Sequence, residues 1–245
     1  MTVEAPRSER LDALAELETE IVNCFRCPRL VAWREQVARE KVARYRDETY
    51  WGRPVPGFGD PEARILIVGL APAAQGGNRT GRVFTGDASG DFLWAAMHEV
   101  GLADRPVSRR RDDGLTLIDA RVVAAVRCAP PDNKPTIDER ANCAPYLVRE
   151  MRALGDARVI VALGHYAWDA ALRTFAALGS SLPRPKPRFG HGAEATIDRW
   201  TLLGSYHPSQ QNTFTGVLTK PMLVQVLARA EELARAKEPA GEAPA

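Results

Sequence analysis

Four cysteines, Cys24, Cys27, Cys128 and Cys143, have the plainest chemistry in this 245-residue chain. The first two form a CxxC pair, whose thiolates can reach one metal from a single turn. The second two stand fifteen positions apart, on either side of the Pro130-Pro131 loop. Nothing else in the chain suggests a disulfide framework, so one four-thiolate centre is the simplest reading, against buried free thiols as the plain alternative. The spacing does not decide between structural zinc and an iron–sulfur cluster. Either would clip the start of the chain to a segment about a hundred residues later, a loop costly in entropy to close.

Two loops carry the remaining candidates. Gly69 to Asp87, GLAPAAQGGNRTGRVFTGD, is neither a P-loop nor a dinucleotide fingerprint, because both glycine spacings are absent. Its small residues let backbone N–H groups approach a flat ligand, and Phe84 offers a stacking surface. Asp87 stands where a helix begins, so its ordinary role is an N-cap. The second loop, Tyr206 to Asn212, is YHPSQQN. His207 follows an apolar run and sits beside a proline and a cluster of amides; a satisfied structural histidine is the competing reading.

The elements that would position these residues follow from periodicity. Short unbroken apolar runs at 64–70, 119–126, 158–163 and 200–205 read as strands buried on both faces. Helical stretches separate or follow them at 87–100, 137–154, 165–175 and 221–235, and an amphipathic helix starting at Leu11 ends near Cys24, broken by Asn23 and Pro28. The alternation predicts a three-layer α/β/α sandwich, a single domain over 11–235 with frayed tails at 1–10 and 236–245. Ligands in such sheets lie beyond the carboxyl ends of the strands, which singles out the loops 71–87, 127–135 and 206–219.

Composition narrows the class. Hydrophobic residues make up 45% and charged residues 26%, as in an ordinary folded protein. No apolar run is long enough to span a membrane, and the polar start lacks a secretory signal, which predicts a cytoplasmic location. The net charge of +2 is mild, but Arg26, Arg29, Arg34, Arg39, Lys41, Arg44 and Arg46 face only Glu35 and Glu40 over that stretch. A basic face can coexist with a nearly neutral total; a solvated helix surface reads equally well.

Taken together, these motifs resemble the uracil-DNA glycosylase superfamily, specifically its family 5, the type B iron–sulfur enzymes. The resemblance rests on the glycine-rich motif, on RCAPPDNKPT (127–136), on HPSQQN (207–212) and on the four cysteines, and runs from Cys24 to Arg235. It implies a four-stranded parallel sheet, a [4Fe–4S] cluster on the four cysteines, and removal of deaminated bases from DNA at the nucleoid; no stretch reads as an obligate interface, which predicts a monomer. Several sister families carry a catalytic Asp, Asn or Glu soon after the first strand, where this chain has Ala-Pro-Ala-Ala; Asp87 is the nearby carboxylate that could take over. Sister families also read uracil with an Asn where this chain has Ala124, and losing that amide implies a looser pocket that also admits hypoxanthine.

On that resemblance the catalytic set is Asp87, His207 and Asn133. Ala73, Ala74, Gly77, Phe84, Ala124 and Asn212 would surround the base. Arg79, Lys134, Ser209 and Gln210 are candidates for contact with DNA, and a residue within 210–215 would wedge into the stack. No lysine has a clear nucleophile setting, which favours water and a monofunctional reaction. Two other classes compete: a non-catalytic iron–sulfur nucleic-acid-binding module, and an α/β enzyme hydrolysing free nucleosides.

Overall fold

The computed structural model describes residues 6–236. Its centre is set by the four apolar runs. They form β2 (Ile65–Gly69), β3 (Ala120–Ala124), β4 (Val159–Leu163) and β6 (Trp200–Ser205), and every residue in them is buried. Two short strands, β1 (Phe58–Gly59) and β5 (Glu194–Ile197), complete one sheet in the order β1-β3-β2-β4-β6-β5. The four inner strands are parallel, and both edge strands are antiparallel to their neighbours. The expected four-stranded sheet is therefore corrected to a mixed six-stranded one. The edges escaped the sequence because they are short and half exposed, with no apolar run to announce them.

Period-two alternation sends neighbouring side chains to opposite faces. Ile65, Ile67, Val122, Val161 and Leu203 face α4 (Ala88–Glu99) and α8 (Lys220–Ala236), through Leu93, Trp94, Met97, Leu223 and Leu227. Leu66, Val68, Val123, Ile160 and Leu202 face the other layer. That layer contains α1 (Arg7–Val22), α2 (Pro28–Glu40), α5 (Ile137–Ala153) and α6 (His165–Ala177). Burying each such aliphatic side chain contributes roughly 1.5–3 kcal/mol. The three layers are as expected, and none of the described helices is long and apolar enough to cross a membrane.

Two further expectations change. Arg7 to Arg10 belong to α1, tied down by Arg7 to Glu62 and by Arg10 to Asp156 at 2.9 Å. The tails at 1–5 and 237–245 lie outside the described residues. Pro28 opens a helix instead of only ending one: it occupies the first helical position of α2, where its missing N–H would have had no partner anyway.

The topology decides where a ligand goes. The chain leaves β2, adds β3 on one side, then crosses back to add β4 on the other. Order thus reverses at β2, and the loop after β2 opens into the crevice beyond the carboxyl ends of the strands.

Candidate active site

The glycine-rich loop is shaped by close approaches. It contains α3 (Gly77–Thr80), which begins with N–H bonds from Gly76 and Asn78 to the Ala73 carbonyl at 3.2 and 3.0 Å. Among the described residues, the N–H groups of Ala73, Ala74 and Gly77 donate to no backbone carbonyl. They are among the donors left along the loop, each on a residue with little or no side chain. Gln75, which the sequence did not single out, is held from outside: its amide oxygen accepts from the Tyr50 hydroxyl at 2.5 Å. Tyr50 is 25 positions away, so only the fold reveals that pairing.

Asp87 uses its two carboxylate oxygens differently. It is the N-cap of α4, with Oδ1 accepting from Gly90 N at 2.9 Å. Oδ2 lies against Gly76 so closely that a Cβ built there would stand 1.8 Å from it. Gly76 is therefore required by the space the carboxylate occupies. Burial holds the Asp87 carboxyl above its ordinary range, and the N–H groups of Gly90 and Ser89 limit the rise.

Phe84 is bent into place. Its φ of +49° is a left-handed conformation that a bulky residue seldom adopts. Trp94 Nε1 donates to its carbonyl at 2.6 Å, and its ring lies over Gly69, where a Cβ would meet ring atoms at 2.8 Å. Gly69 pairs in register with Ala124, which is 2% exposed, so both sit at the carboxyl end of the sheet on the Phe84 side. No side-chain polar atom is available from position 124.

His207 reaches the same rim from β6. Its ring centroid is 5.9 Å from that of Phe84, with the planes 33° apart. Burial alone lowers its pKa to about 4, so the imidazole is neutral near pH 7. Asn212 Nδ2 donates to the His207 carbonyl at 2.9 Å, so the amide nitrogen braces the histidine turn. Ser209 caps the short α7 (Gln210–Phe214), accepting from Asn212 N at 3.4 Å, and Gln210 is exposed. At the end of that helix Phe214 is 80% exposed.

The remaining candidates divide. Asn133 and Lys134 are exposed on the turn after β3; Asn133 has a positive φ of 56°, and the Lys134 carbonyl accepts from Arg29 at 3.0 Å. Arg79 is different. It is buried, stacked 3.8 Å from the Tyr45 ring, paired with Glu48, and donates to the Gln75 and Gly86 carbonyls at 2.8 Å each. With its fork committed, it braces the glycine-rich loop and has no arm for a phosphate. That corrects its expected DNA contact.

The four cysteines, all free, line one cavity together with Arg34, Arg127 and Tyr146. Cys24 and Cys27 come from the turn between α1 and α2, Cys128 from the loop after β3, and Cys143 from α5. A capping box between Thr136 and Glu139 starts α5, and Arg29 on α2 pairs with the same Glu139 at 2.8 Å, joining the two cysteine-bearing segments. N–H donors point at three sulfurs: Arg34 to Cys128 at 3.0 Å, Arg127 N to Cys143 at 3.4 Å, and Asn142 to Cys27 at 3.5 Å. Burial pushes the Cys128 and Cys143 thiols up to about 12 and about 11. Among the described residues no three His, Cys, Asp or Glu side chains are grouped to hold a single metal ion.

The chain is similar to known proteins over most of its length. Residues 56–231 match the family model of the uracil DNA glycosylase superfamily. The chain is 53% identical to a type-5 uracil-DNA glycosylase of Mycobacterium bovis over 224 residues, covering 91% of this chain and 82% of the relative. It is 52% identical to the type-5 enzyme of Thermus thermophilus, covering 91% and 99%. A type-4 uracil-DNA glycosylase of Archaeoglobus fulgidus is 28% identical, covering 87% of each.

Proposed function

Since the chain belongs to the uracil DNA glycosylase superfamily, and within it to the type-5 uracil-DNA glycosylases, we propose that its rim hydrolyses the N-glycosidic bond of uracil in DNA. The reading extends to other deaminated bases such as hypoxanthine, with a monomer leaving an abasic site and cutting no strand. One observation carries it. A desolvated carboxylate three residues beyond Phe84 and a neutral imidazole packed near the Phe84 ring stand at the same end of the sheet.

The chemistry asks for two kinds of stabilisation. As the bond breaks, the sugar gains oxocarbenium character and the base departs as an anion. The nucleotide must first leave the duplex, at a cost of a few kcal/mol. Phe84 would stack on the extruded ring, and the free N–H groups of Ala73, Ala74 and Gly77 would bond its edge. His207, neutral because it is desolvated, would donate an N–H to the base carbonyl as charge builds there. Asp87 would steady the sugar cation and, with Asn133, orient and deprotonate the attacking water. Asn212 supports this set by fixing the His207 turn.

Ala124 would account for breadth. An amide there would hydrogen-bond one base edge and leave unpaired groups against another, whereas a methyl tolerates both. Lys134, Ser209 and Gln210 would meet the phosphate backbone, and the exposed Phe214 is the best-placed wedge of its loop.

The four cysteines fit a [4Fe–4S] cluster. The donor set is all thiol, the N–H groups aimed at sulfur suit thiolates, and a four-iron cubane spreads its ligands farther apart than one ion does. When bound, the cluster would cross-link three segments and supply the cationic charge that keeps buried thiols deprotonated. It would hold the frame of the site without entering the reaction.

The test is incubation of the purified protein with duplexes carrying uracil, hypoxanthine, xanthine or a thymine mismatch, followed by alkaline scission. Alkali-labile breaks at uracil are the expected result, with breaks at hypoxanthine supporting the wider range. Strand breaks before alkali would contradict the monofunctional mechanism. Binding without any abasic site would return the chain to a non-catalytic module.

A further inference from the structure

Buried arginines cannot shed their charge, so each needs an anion close by. Most of those among the described residues have a carboxylate. Arg79 has Glu48, Arg82 has Asp113, and Arg121 and Arg127 share the fully buried Glu150, with Glu18 also on Arg121. Arg34, 1% exposed on α2, pairs with no carboxylate among the described residues. Its guanidinium donates to the Cys24 carbonyl at 3.2 Å and to Cys128 Sγ at 3.0 Å, and the Phe25 ring covers it at 5.1 Å. Its Nε is buried with no partner at all. Among the described residues, the one side-chain acceptor it bonds is thus a sulfur of the four-cysteine cavity.

We propose that Arg34 is the built-in counter-cation of the four-cysteine centre. Four thiolates around a [4Fe–4S] core carry a net negative charge, and one-electron reduction adds another. A fixed guanidinium in a dry cavity offsets both states and favours the reduced one more. Arg34 therefore slows cluster loss and raises the cluster's reduction potential. The inference rests on the iron–sulfur reading of the cysteines. Activity is a poor readout for it, because the Arg34 carbonyl also accepts from Asn78 Nδ2 at 3.2 Å and so touches the glycine-rich loop.

The experiment uses purified holoprotein: iron and labile sulfide content, the rate of iron loss to a ferrous chelator, and the one-electron midpoint potential at an electrode. Wild type is compared with Arg34→Met, Arg34→Gln and Arg34→Lys. Expected for Arg34→Met and Arg34→Gln is iron loss roughly 10–100-fold faster, the range for disturbed outer-shell partners, and a more negative potential. Arg34→Lys, which keeps the charge but not the fork, stays closer to wild type on both readouts. If Arg34→Met does not fold, the Gln and Lys variants carry the comparison. Uncharged variants that match wild type would overturn the proposal, as would a Lys variant as poor as Gln. Wild type lacking iron and sulfide would instead overturn the cluster reading, and that is seen before any variant is made.

Discussion

The rim around Asp87 and His207 and the cavity around the cysteines are built alike, from loops leaving the same sheet and from polar groups taken out of water. Burial has opposite chemical consequences in them. At the rim it raises a carboxyl and lowers an imidazole to about 4, and the proposed mechanism would use them as a base and a neutral donor. In the cavity it drives thiols up to about 12, toward inert, protonated forms that need a bound cation to become ligands. On the proposed reading, desolvation would prepare one region for reaction and leave the other dependent on a bound metal.

The comparison breaks most readily at Asp87. Asp87→Ala should cost roughly 10²–10⁴ in single-turnover excision, the usual span for a general base, while binding of damaged duplex persists. The lost cap adds about 1 kcal/mol of instability. Asp87→Asn separates the effects, since it keeps the cap and should lose the rate alone. His207→Ala should cost about 10²–10³, as for an oxyanion donor, measured in the same assay. A near-normal rate for either variant would remove that residue from the chemistry.

Smaller effects sharpen the account of the pocket. Ala124→Asn should lower the hypoxanthine-to-uracil ratio of excision rates by about tenfold, through groups left unpaired against the larger base. An unchanged ratio would count against breadth being set at position 124. Phe214→Ala should weaken excision from paired duplex by roughly fivefold, near the lower end of aromatic–base stacking, with little change on single strands. Equal losses on both substrates would mean that Phe214 is not a wedge.

Much of this arrangement is legible in the sequence. The inner strands were marked by unbroken apolar runs, and Trp200 to Ser205 ends where expected. The N-cap at Asp87 and the loops at the carboxyl ends of the strands followed from local pattern and from a general rule of α/β sheets. What escaped was decided by partners distant in sequence. Arg79 reads as a loop cation until Tyr45, Glu48 and Gly86 enclose it. Arg34 reads as one more charge on a basic helix until its side chain meets Cys128, 94 positions away. Pro28 misled for a local reason, because a proline that breaks one helix can begin the next.

The pH dependence of single-turnover uracil excision, from about pH 4.5 to 8, tests the central claim most directly when wild type is compared with Asp87→Asn. Because the Asp87 carboxyl is raised, falling pH should protonate the base early and the wild-type rate should drop through a single ionisation above the ordinary 3.8. His207, with its pKa lowered to about 4, stays neutral over most of that window and should add no step near 6.5. In Asp87→Asn the small residual rate should be flat. A loss centred near pH 6.5 that survives in Asp87→Asn would show an exposed, titrating imidazole in place of the desolvated one, and would contradict the account.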